Sequence, residues 1–290
     1  MVIISKAQKT FNGANVIFMA LLGLTMVMPI IHVIAQSLSS NAAINTGRVA
    51  FWPVEFTLDN YLLILKDMSI WIAFRNSVII TVFGTLINLT ATASLAYPLS
   101  RPEYLGRTKV LILVLVTLIF SAPLIPNYLL IKQLGLLDTL WALMLPSAIS
   151  AFNLFVMRSF FMNLPNELID SGKMDGCGDF RTIWYIVLPL SKPAMATMGI
   201  IYAVSNWNTY SAAVYYINNR ALIPLQVRLR EIVFTDMLGS SDPTAEMMLT
   251  VSPEGIKMAV IVVATLPIML VYPFLQKHFI QGMLVGSIKS

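Results

Sequence analysis

Charged residues are absent from six long stretches of this chain, and their spacing limits the folds that the sequence can adopt. The stretches are residues 10–47, 76–100, 110–131, 139–157, 193–219 and 258–276, and the shortest has 19 residues. A bilayer core of about 30 Å is crossed by roughly 20 helical residues at about 1.5 Å each. The sequence therefore predicts an all-α membrane protein with six transmembrane helices, whereas the strands of a barrel would give short alternating segments.

The composition also indicates a membrane protein. The chain is 57% hydrophobic and 11% charged, with a mean hydropathy of +0.77, whereas a soluble domain carries about 25% charged residues. Lys6 and Lys9 precede the first apolar run as in a signal peptide, but that run is longer than a signal core of about 7–15 residues, so we expect a retained helix. We predict one transmembrane domain, 1–290, with spans at approximately 13–36, 74–98, 109–131, 139–161, 192–217 and 256–277.

The basic residues predict the orientation of these spans. An even number of spans places both termini on one side, and a cytoplasmic location puts eleven of the 19 Lys and Arg residues inside. The short loop 98–109 alone holds Arg101, Arg107 and Lys109. Short loops rich in basic residues remain in the cytoplasm, so we expect both termini there. The net charge of +5 then reflects orientation, and we predict no nucleic acid partner.

The sequence carries none of the motifs that would give this chain its own chemistry. Cys177 is the one cysteine and is distant in sequence from His32 and His278, so no metal cluster is predicted. The patterns of a phosphate-binding loop, a zinc protease helix and a nucleophile elbow are absent from the sequence. The six charge-free stretches also lack a carboxylate that could relay protons. We therefore expect a non-enzyme that binds no cofactor and takes its energy from a partner.

A polar segment, PNELIDSGKMDGCGDFRTIWYIVLPLSKP at 165–193, separates two of the apolar stretches. Asn166 is predicted to cap a first helix that stops at 175–176, where glycine permits a left-handed end. Asp179 is predicted to cap a second helix through about Val187, which Pro189 ends. The second helix has an apolar stripe at helical spacing: Phe180, Ile183, Trp184 and Val187. The segment is either a docking element on the membrane surface or a plain connection between two spans.

This segment resembles the cytoplasmic loop of permease subunits in binding-protein-dependent ABC importers. That loop reads Glu-Ala-Ala, three residues, Gly, nine residues, Ile-x-Leu-Pro. Here Asp-Ser-Gly at 170–172, Gly176 and Ile-Val-Leu-Pro at 186–189 keep the spacing. Gly172 replaces alanine, which lowers helix propensity by up to about 1 kcal/mol. The resemblance implies a coupling loop, 165–189, that docks on an ATPase through Asp170, Ser171, Gly172, Asp175, Gly176, Ile186, Leu188 and Pro189.

Other segments extend the resemblance over most of the chain. Residues 125–161 and 205–219 look like spans of sugar-importer permeases, and 223–233 is most similar to the branch for complex polysaccharides, including alginate. The resemblance implies a maltose-permease-like subunit (type I ABC importer fold) in a bacterial inner membrane, forming half of a heterodimeric channel. Its implied partners are a second permease subunit, two ATP-binding subunits that hold ATP and Mg²⁺, and an extracytoplasmic solute-binding protein that delivers a saccharide.

Polar groups within the fifth apolar stretch are candidates for the substrate pathway. Asn206, Asn208 and Tyr210 place amides and an aromatic ring in an otherwise apolar segment. Amides match sugar hydroxyls, and aromatic faces stack on sugar rings. The alternative is that these residues join helices or anchor the span at the membrane interface.

Four points remain open at the level of sequence. Pro123 and Pro126 either form a gate hinge or end the third span. The loop 220–257 either docks the binding protein or is a solvated loop. Gly282, Gly286 and Lys289 lie in a tail that, by resemblance to the maltose type, reaches between the ATPase subunits; otherwise it is a disordered end. A stand-alone secondary carrier and an ABC importer of a non-sugar solute are the alternative functions.

Overall fold

A computed structural model gives the fold of this chain and describes residues 6–235 and 254–270. The predicted all-α class is confirmed, because every regular element in these residues is a helix. The helices are α1 Lys6–Ser37, α2 Asn41–Asn45, α3 Asp59–Lys66, α4 Met68–Ser100, α5 Arg107–Ile119, α6 Leu124–Gln133, α7 Trp141–Met144, α8 Ala151–Met162, α9 Asn166–Met174, α10 Asp179–Thr182, a π-helical turn Ile183–Val187, α11 Leu188–Leu190, α12 Lys192–Trp207, α13 Ser211–Tyr216, a 3₁₀ turn Arg220–Leu222, α14 Leu225–Thr235 and α15 at 254–270.

Two helices are individually long and apolar enough to cross a membrane: Phe11–Ser37 within α1, and α4. Two further pairs meet that test only when joined across a sharp bend, α5 with α6 at 119° and the α10–α11 segment with α12 at 85°. The described residues therefore offer up to four such spans. The six-span count and the cytoplasmic termini stay predictions.

Three of the predicted spans are not continuous helices, and proline explains two of the breaks. The 109–131 span is interrupted between α5 and α6, where Pro123 caps α6 with φ −61° and ψ 162°. Pro126 then lies in the first turn of α6, where an N–H is not needed. The 139–161 span is interrupted between α7 and α8, where Pro146 lacks the N–H that would continue α7. The 192–217 span is interrupted between α12 and α13.

The chain divides into two compact units. The described part of the first unit is 6–68, 229–235 and 254–266. Its small apolar cluster contains Ala35, Ala43, Ile44 and Val49. An ion pair of 3.0 Å between Arg48 and Glu55 lies in the loop between α2 and α3. The apolar side chains of α1 between Phe11 and Ile31 are exposed, so α1 presents a surface suited to lipid or to another helix.

The second unit, whose described residues are 69–228 and 267–270, is organised around α4. One face of α4 is buried and, apart from Ile80, carries small and polar residues at helical spacing: Ala73, Asn76, Ser77, Gly84, Asn88, Thr92, Ala93 and Ala96. Near the end of α4, Tyr97 and Leu99 form a core with Leu154, Met157 and Phe161 of α8 and with Val187 and Met198. This core connects α4 and α8 to the 165–189 loop.

Candidate functional site

The first helix of the 165–189 loop begins one residue earlier than predicted, at Asn166 itself. Pro165 is the cap residue, with ψ 125°, and Asn166 is already helical. The prediction that Asn166 caps α9 is therefore wrong. Its side-chain oxygen instead accepts a hydrogen bond of 3.0 Å from the Nη1 of Arg101. Asn166 thus connects the loop to the residue that follows α4.

The end of α9 is a Schellman turn, as the glycine at 176 predicts. Gly176 has a φ of +80°. Its N–H donates to the Lys173 carbonyl at 3.0 Å, and the Cys177 N–H donates to the Gly172 carbonyl at 3.0 Å. These two bonds satisfy carbonyls that the end of α9 leaves without intrahelical partners.

The second helix differs from prediction at both ends. Gly178 is its cap, and Asp179 is the first helical residue, so the predicted Asp179 cap is wrong. Pro189 does not end the helix, because the wider π-helical turn Ile183–Val187 precedes it and α11 continues to Leu190. The Ser191 N–H then bonds the carbonyls of Val187 at 2.9 Å and Leu188 at 3.2 Å.

The two halves of the sequence motif meet at Gly172. A Cβ built at Gly172 would collide with the Cδ1 of Ile186. Ile169 and Val187 are buried beside this contact at 3% and 0% exposure. Glycine at 172, which looks like a weak helix former in the sequence, therefore permits close approach of the two short helices.

Some of the remaining motif residues are exposed, and others are partly buried near this contact. Asp170, Ser171, Asp175, Gly176 and Pro189 are exposed, whereas Ile186 and Leu188 are half-buried. The predicted apolar stripe is split, because Val187 is buried and Ile183 is half-buried while Phe180 and Trp184 are exposed. Sequence reasoning missed Met174 and Tyr185, which are 89% and 78% exposed. The loop thus presents carboxylates and large apolar side chains together.

Two arginines, Arg101 and Arg158, bind the helix ends next to the loop, and these contacts were not predicted from the sequence. Arg158 of α8 donates from Nε to the Leu99 carbonyl in the last turn of α4 at 2.8 Å. Arg101 donates from Nη2 to the Phe161 carbonyl in the last turn of α8 at 3.0 Å. Basic residues at helix C-termini are stabilising because they face the negative end of the helix dipole.

The candidate pathway residues lie in different environments. Asn206 is 6% exposed, and its Nδ2 donates to Asn88 Oδ1 at 2.9 Å and to Thr85 Oγ1 at 3.3 Å. Asn88 in turn donates to the Ser147 carbonyl at 2.6 Å. This chain of bonds joins α12, α4 and the residues before α8, which favours helix bridging over pathway lining for Asn206.

Asn208 and Tyr210 lie just beyond the end of α12. Asn208 is exposed and Tyr210 is half-exposed. The Asn208 Nδ2 donates to the Val204 carbonyl at 2.9 Å, which leaves its oxygen near Gln226 Nε2 at 3.4 Å. The tail residues Gly282, Gly286 and Lys289 lie outside the described residues, as do Asp236, Asp242 and Glu246 of the 220–257 loop.

Across residues 6–235 and 254–270, no group of three or more His, Cys, Asp or Glu side chains converges on a point that could hold a metal ion. The exposed side chains of the loop include carboxylates and large apolar groups, which can form charge contacts, hydrogen bonds and apolar contacts.

Comparison with known proteins identifies the class. A family model described as binding-protein-dependent transport system inner membrane component matches residues 68–285. The chain belongs to this family of transport permease subunits, which confirms the resemblance and the type I permease fold. The family match also speaks against the stand-alone secondary carrier.

Particular relatives are similar over nearly their whole length. Protein LplC of Bacillus subtilis (strain 168) is 44% identical, covering 99% of this chain and 97% of its own. The polygalacturonan/rhamnogalacturonan transport system permease protein YtcP of the same organism is 45% identical, with 94% and 96% coverage. A chain in the crystal structure of a bacterial ABC transporter involved in import of the acidic polysaccharide alginate matches with a TM-score of 0.91 and 33% identity, covering 96% of this chain and all of that one.

Proposed function

We propose that this chain is a permease subunit of an ATP-driven importer and couples to a separate ATPase through the 165–189 loop. One observation carries the proposal: Gly172 and Ile186, the two halves of the motif, pack against each other and join two short helices into one element. The proposal places both termini of six spans in the cytoplasm, so that the loop faces the compartment that holds ATP.

The surface of the loop suits a cleft on another protein. Met174, Phe180 and Tyr185 are each at least 78% exposed, and large exposed apolar groups on one element are characteristic of a binding surface. Asp170 lies on the exposed side of α9 and would meet a basic group of the ATPase. ATP and Mg²⁺ would bind to the two ATPase subunits and not to this chain.

The remaining partners follow from the membrane helices and the relatives. Helix α5 has no buried residue, so its apolar surface requires lipid or a second permease subunit. A second permease would complete the channel, and an extracytoplasmic solute-binding protein would deliver the substrate. Asn208 and Tyr210, which are exposed and half-exposed beyond the end of α12, are the pathway residues that we retain.

We propose an oligosaccharide or polysaccharide substrate, with alginate as the specific candidate. The support is that one relative is named for polygalacturonan and rhamnogalacturonan transport and the structural neighbour for alginate import. Uptake of defined alginate and pectic oligosaccharides by the assembled transporter, with a non-sugar solute as the negative control, tests this assignment.

The coupling role is tested by charge reversal in the loop. Asp170→Lys should abolish ATP hydrolysis stimulated by the loaded binding protein while the chain still inserts and assembles. Glu103→Lys is the matched control, because Glu103 is an exposed acidic residue in the neighbouring 98–109 loop. Both variants are measured in proteoliposomes that contain the complete transporter. Normal coupling in Asp170→Lys would disprove the role of this loop.

A further inference from the structure

Arg101 occupies a position where three elements meet. It follows directly on α4, its Nη2 donates to the last turn of α8 at Phe161, and its Nη1 donates to Asn166 at the start of α9. The two donor groups belong to one planar guanidinium, so the distance between their acceptors is fixed by the geometry of the side chain. The end of α8 and the start of α9 are therefore held in one arrangement.

The packing around Arg101 restricts its movement. The guanidinium carbon lies 5.3 Å from the centroid of the Tyr97 ring, a cation–π contact. Tyr97 is itself 5% exposed and meets the buried Phe161 ring edge-on, with centroids 6.4 Å apart. The side chain therefore lies on a buried aromatic surface, and charge-assisted hydrogen bonds in such a partly dry site are stronger than at an open surface.

Arg158 completes the connection from the other helix. Its bond from α8 to the Leu99 carbonyl of α4 runs opposite to the bond that Arg101 makes to α8. The ends of α4 and α8 are thereby joined in both directions. Only Arg101 extends this pair of bonds to the loop, through Asn166.

We infer that Arg101 is the positioning residue that transmits a displacement of α9 to the ends of α4 and α8. The inference rests on the proposed coupling function of the 165–189 loop. It adds a named route from that loop into two of the membrane helices. The contact of Gly172 with Ile186 provides the other connection, from α9 to the second short helix.

Arg101→Lys tests the inference because lysine keeps the charge but cannot hold two acceptors in a fixed geometry. The complete transporter is reconstituted, and saccharide transported per ATP hydrolysed is measured. We expect this ratio to fall about tenfold, which corresponds to about 1.4 kcal/mol, near the lower end for one hydrogen bond to a charged group. The ratio does not depend on how much transporter is folded, so a loss of stability alone would leave it unchanged.

Three further variants separate the contributions of the hydrogen bonds that Arg101 and Arg158 make. Asn166→Ala removes only the branch to α9 and should lower the ratio as Arg101→Lys does, since Asn166 does not cap its own helix. Arg158→Lys weakens only the α4–α8 connection and should lower the melting temperature of the complex with the ratio unchanged. Lys109→Gln is the surface control, because it removes an exposed charge in the first turn of α5.

The outcomes distinguish this inference from the proposed function. If Asp170→Lys abolishes coupling but Arg101→Lys and Asn166→Ala leave the transport ratio at its wild-type value, the route through Arg101 is wrong and the coupling loop stands. If Arg158→Lys lowers the ratio as much as Arg101→Lys does, the ratio depends on the connection between α4 and α8 and not on the branch to α9, and the inference is overturned. If Asp170→Lys also couples normally, the proposed function itself fails.

Discussion

The stability of the turn at Gly176 can be tested against a matched control, because Gly178 lies two residues away. A Cβ added at either glycine would have no atom within 4 Å. The two sites differ in backbone conformation, since Gly176 has a φ of +80° and Gly178 has a φ of −70°. Alanine at each position therefore tests backbone geometry with no contribution from crowding.

The expected magnitude follows from that difference. An L-residue in the left-handed region is destabilised by about 1–2 kcal/mol, so Gly176→Ala should weaken the Schellman turn by that amount. Alanine at the ordinary φ of Gly178 should be close to neutral, because restriction of the unfolded chain stabilises by up to about 1 kcal/mol and the weaker preference of alanine for a helix cap offsets this gain. A loss of 1–2 kcal/mol raises the open population of the turn roughly 5- to 30-fold.

Hydrogen–deuterium exchange of peptides covering 172–178 in the purified transporter measures this opening. The informative amide is that of Cys177, whose N–H bonds the Gly172 carbonyl. Its exchange should accelerate 5- to 30-fold in Gly176→Ala and stay within about twofold of wild type in Gly178→Ala. Equal exchange in the two variants would refute the argument that the sign of φ determines the stability of this turn.

Three further predictions concern other parts of the chain. Asn206→Ala should lower the melting temperature of the complex, and a double-mutant cycle with Asn88→Ala should return about 0.6–1.7 kcal/mol of coupling; additive losses would contradict the bond between the two amides. Asp138 accepts backbone N–H bonds that lower its pKa from an ordinary value of 3.8. The ionised carboxylate therefore stabilises the fold above that pH, and this stabilisation is lost as the pH falls through the lowered pKa. The difference in melting temperature between wild type and Asp138→Asn should therefore be largest near pH 7 and shrink below about pH 4, and a pH-independent difference would count against it. Deletion of 282–290 should lower transport or coupling, whereas wild-type values for both would identify the tail as a disordered end.

The 165–189 loop shows which structural features local sequence signals predict and which they do not. Glycine at 176 predicts a left-handed helix end correctly, because that conformation depends on one residue and its neighbours. The caps at Asn166 and Asp179 were predicted by the same kind of rule and were wrong. The cap positions are occupied by Pro165 and Gly178, and Asn166 bonds Arg101, a residue from another part of the chain.

The membrane helices show a similar division. The charge-free stretches predicted α1 and α4 well, since exclusion of charge from a bilayer acts along the whole segment. The breaks between α7 and α8 and between α12 and α13 were missed. The distribution of charged residues does not predict the break at Pro146 or the end of α12 at Trp207.

By itself the sequence determined the class of this protein: an all-α membrane permease whose 165–189 loop carries a spaced motif. Hydropathy, the conformation of glycine and the spacing of the motif depend on residues that are close together in the sequence, so they can be assessed without knowledge of the fold. Only the tertiary structure decided that Ile186 packs against Gly172 and that Asn206 donates a hydrogen bond to Asn88. It also decided that Arg101 joins two helix ends to the loop. The bonds of Asn206 and Arg101 join residues 60 or more positions apart, and only packing brings such residues together.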